Sequence, residues 1–346
     1  MPNRSSEPVR YRVRSPWSIP DSSRPFRFGF LVVPDFTLIG LGSAIDPLRI
    51  ANMVAQSVRF EYVTIAPKVG AVRSSDGVSV LADYSIANAP ALDALLIVGP
   101  NPIPKRVDRS ILNWLRRLDR NRIPLGGIDT GSYLLARIGL LDGYRCTIHW
   151  EDMDVLLENF PGLVVSQNLF EVDRNRCSCS GGIAALDMMI YLISLGYEGR
   201  KLAAAVSELL ICERRGPDER QRIPFKSLGG PMNGKLIEAV TLMQSNIEEP
   251  LSMAEIATYV GLSPRHLERI FRESVNRKPS SFYVAMRLEK ARHLVLKTER
   301  SISDIATTCG FVSLSHFISR YGAEFGLTPR VDRRNRSSEI RHASVN

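Results

Sequence analysis

A degenerate internal repeat near the end of the chain constrains its fold more than any other feature of the sequence. Residues 254–279 recur about fifty positions later as residues 303–329, with Gly261 matched to Gly310. Each copy contains a short amphipathic stretch, a glycine turn and a second amphipathic stretch, which is the pattern of a helix-turn-helix. The repeat therefore predicts an all-α double helix-turn-helix domain. The two predicted helix-turn-helix units are 252–273 and 301–323.

Capping signals define the helices of the first copy. Ser252 followed by Glu255 is a capping-box pattern that opens the first helix. Ser263 then supplies an N-cap, and Pro264 occupies the first position of the second helix. These residues predict that the second helix of the copy begins cleanly after its turn.

The second helix of the first copy has two different faces. At 100° per residue, an apolar face forms from Leu267, Ile270 and Phe271. Arg265, Arg269 and Arg272 lie together on the opposite face. Three arginines on an exposed stripe suit bidentate contacts to guanine or phosphate in a DNA major groove. The alternative is a solvated charged face without a partner.

The spacing of the two copies and the charge distribution both favour double-stranded DNA as a partner. Residues 281–297 predict an amphipathic helix that would hold the copies at a fixed spacing, as successive major-groove segments require. Residues 28–232 carry 22 basic and 22 acidic side chains, whereas residues 233–346 carry 17 basic and 12 acidic ones. Of the net charge of +9, residues 1–27 carry +4 and residues 233–346 carry +5. The excess in the C-terminal part includes the repeat, where phosphate neutralisation would need it.

The repeat segment resembles the AraC/XylS-type DNA-binding domain over residues 233–334. The resemblance rests on PLSMAEIATYVGLSPRHLERIFRE, RLEKARHLVL and SISDIATTCGFVSLSHFISRYGAEFGLTPR, which occur in the family's order. It implies a sequence-specific transcription regulator, often an activator that contacts RNA polymerase, with Arg265 and Arg269 at base-contacting positions. The candidate DNA-binding residues are Arg265, His266, Arg269 and Arg272 in the first copy and Ser313, Ser315, His316 and Ser319 in the second.

The second copy departs from the first because its turn has one extra residue. Its alignment places Ser315, Ser319 and Gly322 where the first copy has arginines, and Arg320 where the first has the core residue Ile270. We therefore expect its second helix either to read DNA through small hydroxyls and close backbone approach or to add little specificity.

The preceding part of the chain alternates strand and helix patterns. Short apolar runs predict buried parallel strands at 26–33, 60–66, 94–99 and 124–129. Helical patterns separate or follow them near 42–56, 108–121, 131–140, 151–159 and 182–196. The predicted fold is an α/β sandwich with a largely parallel sheet and flavodoxin-like layering, followed by the all-α domain.

The run LGGIDTGSYLLARIGLLDGYRCTIHW, residues 125–150, resembles the elbow of PfpI-like proteins of the class-I glutamine-amidotransferase-like superfamily. The enzymes of this superfamily carry a cysteine at the elbow, whereas this chain has Asp129 followed by Thr130. A carboxylate is a poor replacement for a thiolate nucleophile, so we expect no enzymatic activity and no catalytic residues. Asp129 instead serves as a ligand carboxylate or as a cap of the following helix.

Two further segments resemble pocket segments of PfpI-like proteins. Asp46 matches a carboxylate position after the first strand, although Pro47 also suits a turn or a helix start. His149 and Trp150 match a Thr-His-Trp segment, in which the histidine either packs in the core or contacts a ligand. The candidate effector-binding residues are Asp46, Asp129, Thr130, His149 and Trp150.

Carboxylates and an aromatic ring in one pocket would favour a cationic small-molecule effector. The combination of domains, with Asp-Thr-Gly at the elbow, resembles regulators of arginine, glycine-betaine or carnitine catabolism. Two alternatives remain: a PfpI-like hydrolase or hydratase fused to a DNA-binding module, and a constitutive DNA binder whose α/β domain only dimerises. The resemblance also implies a homodimer.

The remaining sequence sets the domain limits. The odd cysteine count lacks a zinc-type pattern, so we expect no metal and no cofactor, in a reducing cytoplasm. No apolar run approaches the roughly 20 residues of a membrane helix, so no membrane partner is expected. The predicted segments are a disordered basic tail (1–26), a PfpI-like effector-sensing domain (27–212), a linker (213–232), the DNA-binding domain (233–334) and a tail (335–346).

Overall fold

The computed structural model describes residues 15–17, 24–104, 106–221 and 234–335. The chain divides into two compact units at Gln221. The first, here called the α/β unit, contains every strand among the described residues, and the second, here called the helical unit, contains helices only. This division agrees with the change of pattern in the sequence.

The α/β unit alternates strands and helices. Its strands are β1 (Phe26–Val32), β2 (Phe60–Ala66), β3 (Gly70–Arg73), β4 (Ser79–Ala82), β5 (Tyr84–Ser85), β6 (Ala94–Val98), β7 (Leu125–Ile128), β8 (Arg145–Cys146), β9 (Val164–Val165), β10 (Phe170–Asp173) and β11 (Arg176–Cys179). Its helices are α1 (Leu38–Ala55), α2 (Arg109–Arg120), α3 (Gly131–Ala136), α4 (Met153–Asn159), α5 (Ala184–Ser194) and α6 (Gly199–Leu209). A 3-10 helix, Trp150–Asp152, precedes α4.

Seven strands form one sheet in the order β10-β11-β7-β6-β1-β2-β5. All neighbours in this sheet are parallel except β10 and β11. The four strands predicted from apolar runs are β1, β2, β6 and β7, which are adjacent to one another in the sheet. The predicted largely parallel α/β sandwich is confirmed. Helix α6 and the β3–β4 hairpin were not evident from the sequence patterns.

Alternate side chains of β1 pack against different helical layers. Phe28 and Phe30 lie in a core with residues of α1, α5 and α6. Leu31 lies in a second core with residues of α2 and α3. Successive side chains of a strand point to opposite faces, so the sheet lies between two helical layers. Each fully buried side chain of this size contributes about 1.5–3 kcal/mol to the stability of that packing.

Helix α1 is an apolar core helix. It is the one helix of the described residues that is long and apolar enough to cross a membrane, a test that buried core helices also pass. Leu41, Ala44 and Leu48 on this helix are buried in the core, and the helix packs against α5, α6 and β2. Its packing is that of a helix in a folded α/β domain.

Trp17 belongs to the α/β unit and not to a disordered tail. Its side chain is completely buried, and its indole Nε1 donates a hydrogen bond to the carbonyl oxygen of Arg174 at 3.1 Å. The predicted disordered tail, 1–26, is therefore wrong at this residue, because an indole gains more from burial and a hydrogen bond than from solvation. Residues 1–14 and 18–23 lie outside the described part of the chain.

The segment 213–221 packs on the α/β unit. Its backbone exchanges hydrogen bonds with residues 167–169: the N–H of Leu169 donates to the oxygen of Glu219 at 2.7 Å, and the N–H of Gln221 donates to the oxygen of Gln167 at 2.8 Å. The predicted linker, 213–232, therefore begins too early. Its remaining part, 222–232, lies outside the described residues.

The helical unit contains two small apolar cores that share one long helix. Its helices are α7 (Gly234–Ser245), α8 (Met253–Tyr259), α9 (Pro264–Val275), α10 (Pro279–Lys297), α11 (Ile302–Thr308) and α12 (Leu314–Phe325), with residues 329–335 also helical. Phe282 and Met286 of α10 lie in the core of the first helix-turn-helix, whereas Leu288 and Val295 lie in that of the second. Helix α10 thus joins the two copies rigidly, as its sequence pattern predicts.

Candidate nucleic-acid interface and ligand site

Helix α9 presents the arginine face that the sequence predicts. The hydroxyl of Ser263 caps the helix by accepting from the N–H of His266 at 3.2 Å. The three apolar residues Leu267, Ile270 and Phe271 are buried. The four candidate DNA-binding side chains of this helix are all exposed: Arg265, His266, Arg269 and Arg272.

Two glutamates interrupt the positive charge of this face. Glu268 lies 3.5 Å from Arg272, and Glu273 lies 3.9 Å from Arg269. All four side chains are about half exposed or more, so these ion pairs are weak. The arginines can therefore exchange their glutamate partners for an incoming phosphate or base edge at little cost.

Each second helix of the repeat places a histidine next to an arginine. In α9, Nη2 of Arg269 lies 3.0 Å from Nε2 of His266. In α12, Nε of Arg320 donates to Nε2 of His316 at 3.3 Å. The arginine stands three residues after the histidine in the first copy and four residues after it in the second.

Arg320 does not face the core, contrary to the expectation from its alignment with Ile270. Ile270 is buried, whereas Arg320 is exposed. A long side chain can carry its charged group to solvent from a position at the margin of the core. The structure thus gives the second copy an exposed arginine that the sequence alignment did not reveal.

The candidate serines of the second copy occupy two kinds of position. Ser313 is the N-cap of α12, and its hydroxyl accepts from the N–H of His316 at 3.4 Å. Ser315 and Ser319 are exposed on the helix. Two apolar residues beside them are also exposed, Val312 completely and Leu314 by 42%. This apolar tip, next to the longer turn of the second copy, was not evident from the sequence pattern.

The elbow of the α/β unit lies after β7, where β1, β6, β7 and β11 end. Asp129 has a positive φ of 58°, and its N–H donates to the oxygen of Cys179 at 3.0 Å. The hydroxyl of Thr130 donates to the oxygen of Pro100 at 2.5 Å. A Cβ atom at Gly181 would lie 2.7 Å from the carboxyl carbon of Asp129, so only glycine fits there. The Asp129 carboxyl group is therefore held against the end of β11.

Two buried hydroxyl groups near the elbow make no hydrogen bond with the described residues: Oγ1 of Thr37 and Oγ of Ser132. Thr37 is the N-cap of α1, and its N–H donates to the oxygen of Gly99 at 3.2 Å. Buried polar groups normally have hydrogen-bond partners, so these two hydroxyls are exceptions at this end of the sheet.

The backbone of Cys179 contacts the elbow through its carbonyl oxygen, which accepts from the N–H of Asp129, and the sequence pattern did not predict this contact. Its side chain is completely buried, and burial raises its pKa to about 12. Cys146, the nearest cysteine after the elbow in sequence, is also buried, and burial again raises its pKa to about 12. Neither thiol is a nucleophile at neutral pH, because the thiolate is the reactive form.

The other candidate ligand residues differ in their surroundings. Nδ1 of His149 accepts weakly from the N–H of Glu151 at 3.4 Å and caps the 3-10 helix, while its ring lies 5.5 Å from that of Trp150. Both side chains are half-buried. His149 therefore has a capping role in addition to any contact with a ligand.

Asp46 is separated from the elbow cluster. It lies in the middle of α1 beside Pro47, so neither residue starts a helix. Its Oδ1 accepts from Nε of Arg49 at 2.7 Å, and its side chain is 44% exposed. Gly40, whose Cβ position would contact Thr37 and Ile128, is one and two-thirds turns earlier and on another side of the helix. The structure thus pairs Asp46 with arginine instead of bringing it to the elbow.

No group of three or more His, Cys, Asp or Glu side chains that could hold a metal ion occurs among the described residues.

Comparisons with known proteins assign both parts of the chain. Residues 256–335 match the model of a helix-turn-helix domain, and residues 29–194 match that of the DJ-1/PfpI family. The chain is 42% identical to the transcriptional regulator GbdR of Pseudomonas aeruginosa over 91% of its length and 86% of the relative. It is 39% identical to the regulator CdhR of the same organism over 88% of its length and 91% of the relative.

A solved structure supports the same assignment. A crystal structure of an AraC family transcriptional regulator from Pseudomonas putida matches 54% of this chain and 100% of its own, with 29% identity and a TM-score of 0.50. These relatives are transcription regulators, which confirms the prediction that the chain is not an enzyme. The chain therefore belongs to the AraC-type, DNA-binding transcription regulators that combine a DJ-1/PfpI domain with a C-terminal helix-turn-helix domain.

Proposed function

We propose that this regulator binds a promoter through α9 and α12 and responds to a small cationic or quaternary-amine metabolite bound at the elbow of its α/β unit. The observation that carries the DNA contact is the exposed arginine face of α9, with Arg265 and Arg269 at its centre. Arginine is the side chain best suited to bidentate recognition of guanine. The weak glutamate pairs on this face leave both arginines available for DNA.

The second helix-turn-helix reads a different sequence by different chemistry. Ser315 and Ser319 offer small hydroxyls that bond to several bases, and the apolar tip of Val312 and Leu314 suits thymine methyl groups. We therefore expect the first copy to anchor the protein at a guanine-containing segment. The second copy favours an A·T-containing segment about one helical turn away.

The elbow supports an effector site of mixed chemistry. Asp129 supplies a carboxylate that is held in place by Gly181, and the buried hydroxyls of Thr37 and Ser132 supply polar groups without partners among the described residues. A carboxylate in a partly desolvated site attracts an ammonium group more strongly than one in water. Thr130, His149 and Trp150 belong to the same proposed site.

We further propose that the protein acts as a homodimer in the cytoplasm and activates transcription through contact with RNA polymerase. The family resemblance supports these points. A constitutive DNA binder whose α/β unit only dimerises is the competing function, and the ligand experiment below separates the two.

The DNA proposal is tested by selecting a duplex from a random-sequence pool with the full chain and measuring its Kd by fluorescence anisotropy. Arg265→Ala and Arg269→Ala should each weaken this duplex by about 1–3 kcal/mol while changing binding to random duplex much less. Arg214→Ala, an exposed arginine of the α/β unit, is the control. An equal loss on both duplexes would show phosphate contacts only.

The ligand proposal is tested by calorimetry of the full chain with glycine betaine, carnitine, arginine and a polyamine. We expect one of these classes to bind, and Asp129→Asn to weaken that ligand about tenfold or more. Asp46→Asn is a matched carboxylate control that should leave the affinity unchanged, because Asp46 is paired with Arg49. If no ligand binds and DNA affinity is constant, the constitutive DNA binder is correct.

A further inference from the structure

A cleft of about 440 Å³ lies between the end of the first helix-turn-helix and helix α12. Arg277 and Lys278 border it from the turn between α9 and α10, and Arg320 borders it from α12. Ser280 and Ser281, in the first turn of α10, complete its polar wall. Its floor is apolar and formed by Val284, Ala285 and Leu288. We refer to it as the α10–α12 cleft.

The cleft carries a positive excess that the protein does not neutralise. Among the described residues that line it, the one acid is Glu324, which lies 3.9 Å from Arg277, and both side chains are more than one-third exposed. Neither Lys278 nor Arg320 forms an ion pair with the described residues, and Nε of Arg320 donates a hydrogen bond to the ring of His316. Two cations are therefore available for an anion.

The polar wall suits an oxyanion such as phosphate. Helix α10 is 19 residues long and begins in this wall, and no side chain caps its N-terminus. First-turn N–H groups and serine hydroxyls both donate hydrogen bonds to phosphate oxygens. Cations, hydroxyls and backbone donors thus converge on one cleft from α12, from α10 and from the turn before it.

The position of the cleft identifies which phosphate would occupy it. It lies between the turn that follows α9 and helix α12. Helices α9 and α12 are the second helices of the two helix-turn-helix copies, which enter successive major-groove segments under the proposed function. A DNA strand that connects two such segments carries its phosphates across the space between the helices. The DNA backbone is therefore the polyanion that meets this cleft.

We propose that the α10–α12 cleft binds a backbone phosphate of the DNA strand that passes between the two recognition helices, with Lys278 and Arg320 as its cationic contacts. This inference rests on the proposed DNA binding. It explains why the second copy carries its arginine one position later than the first. A shift of one residue turns the side chain by 100°, from the face of Ser319 toward the cleft, and exchanges a base contact for a phosphate contact.

The test is the salt dependence of DNA binding by the full chain, measured on the selected duplex and on a random duplex between 50 and 300 mM KCl. Each lost phosphate contact should lower the slope of log Kd against log salt by about 0.9. We expect this decrease for Arg320→Gln and for Lys278→Gln, with a similar fractional loss of affinity on both duplexes. Lys235→Gln, which removes a charge from α7 outside the cleft, should leave the slope unchanged.

A gain-of-affinity variant protects the test against misfolding. Glu324→Gln removes the one acid among the described residues that line the cleft, so it should tighten both duplexes about threefold. Unfolding cannot produce a tighter complex.

Two outcomes would overturn the phosphate contact. One is an unchanged salt slope in Arg320→Gln and Lys278→Gln while the wild-type chain binds DNA. The other is a loss confined to the selected duplex, which would make Arg320 a base-reading residue. Failure of the wild-type chain to bind either duplex would instead contradict the proposed function.

Discussion

Arg215 and Asp187 form an ion pair that fastens the end of the α/β unit to helix α5. Nε of Arg215 donates to Oδ2 of Asp187 at 2.9 Å, and the N–H of Arg215 donates to Oδ1 at 3.1 Å. The Asp187 side chain is 2% exposed, so its charge is compensated by this one segment of the chain. Arg215 lies six residues before Gln221, the last residue of the α/β unit.

Loss of this pair should destabilise the α/β unit. We expect Asp187→Ala to lower the free energy of unfolding by about 2–3 kcal/mol, less than for a fully buried pair because Arg215 is 29% exposed. The measurement is urea unfolding of the full chain followed by circular dichroism. Arg214→Ala, at an exposed neighbour, should change the stability by less than about 0.5 kcal/mol. Equal stability of wild type and Asp187→Ala would contradict the assignment.

Arg287 should be a structural residue of the second helix-turn-helix. Its guanidinium donates from Nε to the oxygen of Cys309 at 2.8 Å and from Nη2 to that of Gly310 at 2.5 Å, and it lies 4.3 Å from the ring centre of Phe311. Arg287→Met should therefore lower the melting temperature of the helical unit, at a cost of about 1–3 kcal/mol.

Arg287→Lys provides the control for charge. A lysine keeps the charge but cannot reproduce the planar pair of donors, so it should not restore the stability. Full stability in the lysine variant would show that charge alone matters at this position.

Ser313 was expected among the DNA-binding residues, but because its hydroxyl caps α12 we predict that it acts on the stability of this helix and not on DNA affinity. It caps the helix through the N–H of His316. Ser313→Ala should cost about 1 kcal/mol, and Ser313→Asn, which keeps a cap, should restore most of that loss. Anisotropy at a temperature where all three proteins are folded should give equal Kd values. A weaker Kd for both variants would place Ser313 in direct contact with DNA.

The buried thiols should make the α/β unit less stable in alkaline solution. Burial raises the pKa of Cys146 and Cys179 from about 9 to about 12. Between these values the unfolded chain releases protons that the folded chain retains, so the free energy of unfolding falls as pH rises, by up to about 1.4 kcal/mol per pH unit for each thiol. Unfolding curves at pH 8 and pH 10 measure this decrease, and Cys179→Ala should reduce it. Rapid alkylation of Cys179 in the folded protein would contradict it.

The sequence predicts the elements that have a strong local signal. The strands β1, β2, β6 and β7 are central and buried on both faces, so they appear as continuous apolar runs. The face of α9 with Arg265 and Arg269 follows from helical periodicity and from the Ser263 cap, both of which are local. These local patterns are present in the folded protein because the tertiary contacts favour the same strands and the same helix.

Other features depend on contacts between distant residues. Buried Trp17 donates a hydrogen bond to Arg174, which is far from it in sequence. Arg215 likewise pairs with Asp187, which lies in an earlier helix. The alignment of Arg320 with the buried Ile270 also did not predict that Arg320 is exposed, because aligned positions do not show where a long side chain directs its charged end. Asp46 shows a different kind of error. Its place in the sequence matches a pocket carboxylate of the family, so we expected it at the elbow, but its carboxylate instead forms a local ion pair with Arg49.

The central claim is that the α/β unit controls DNA binding through a ligand at the elbow. The most direct measurement is the Kd of the full chain for the selected duplex with and without saturating glycine betaine, carnitine or arginine. We predict that one of these ligands changes the Kd at least fivefold in the wild type and has no effect in Asp129→Asn, which still binds the duplex. An identical Kd under all conditions, in a protein that binds the duplex, would contradict the claim.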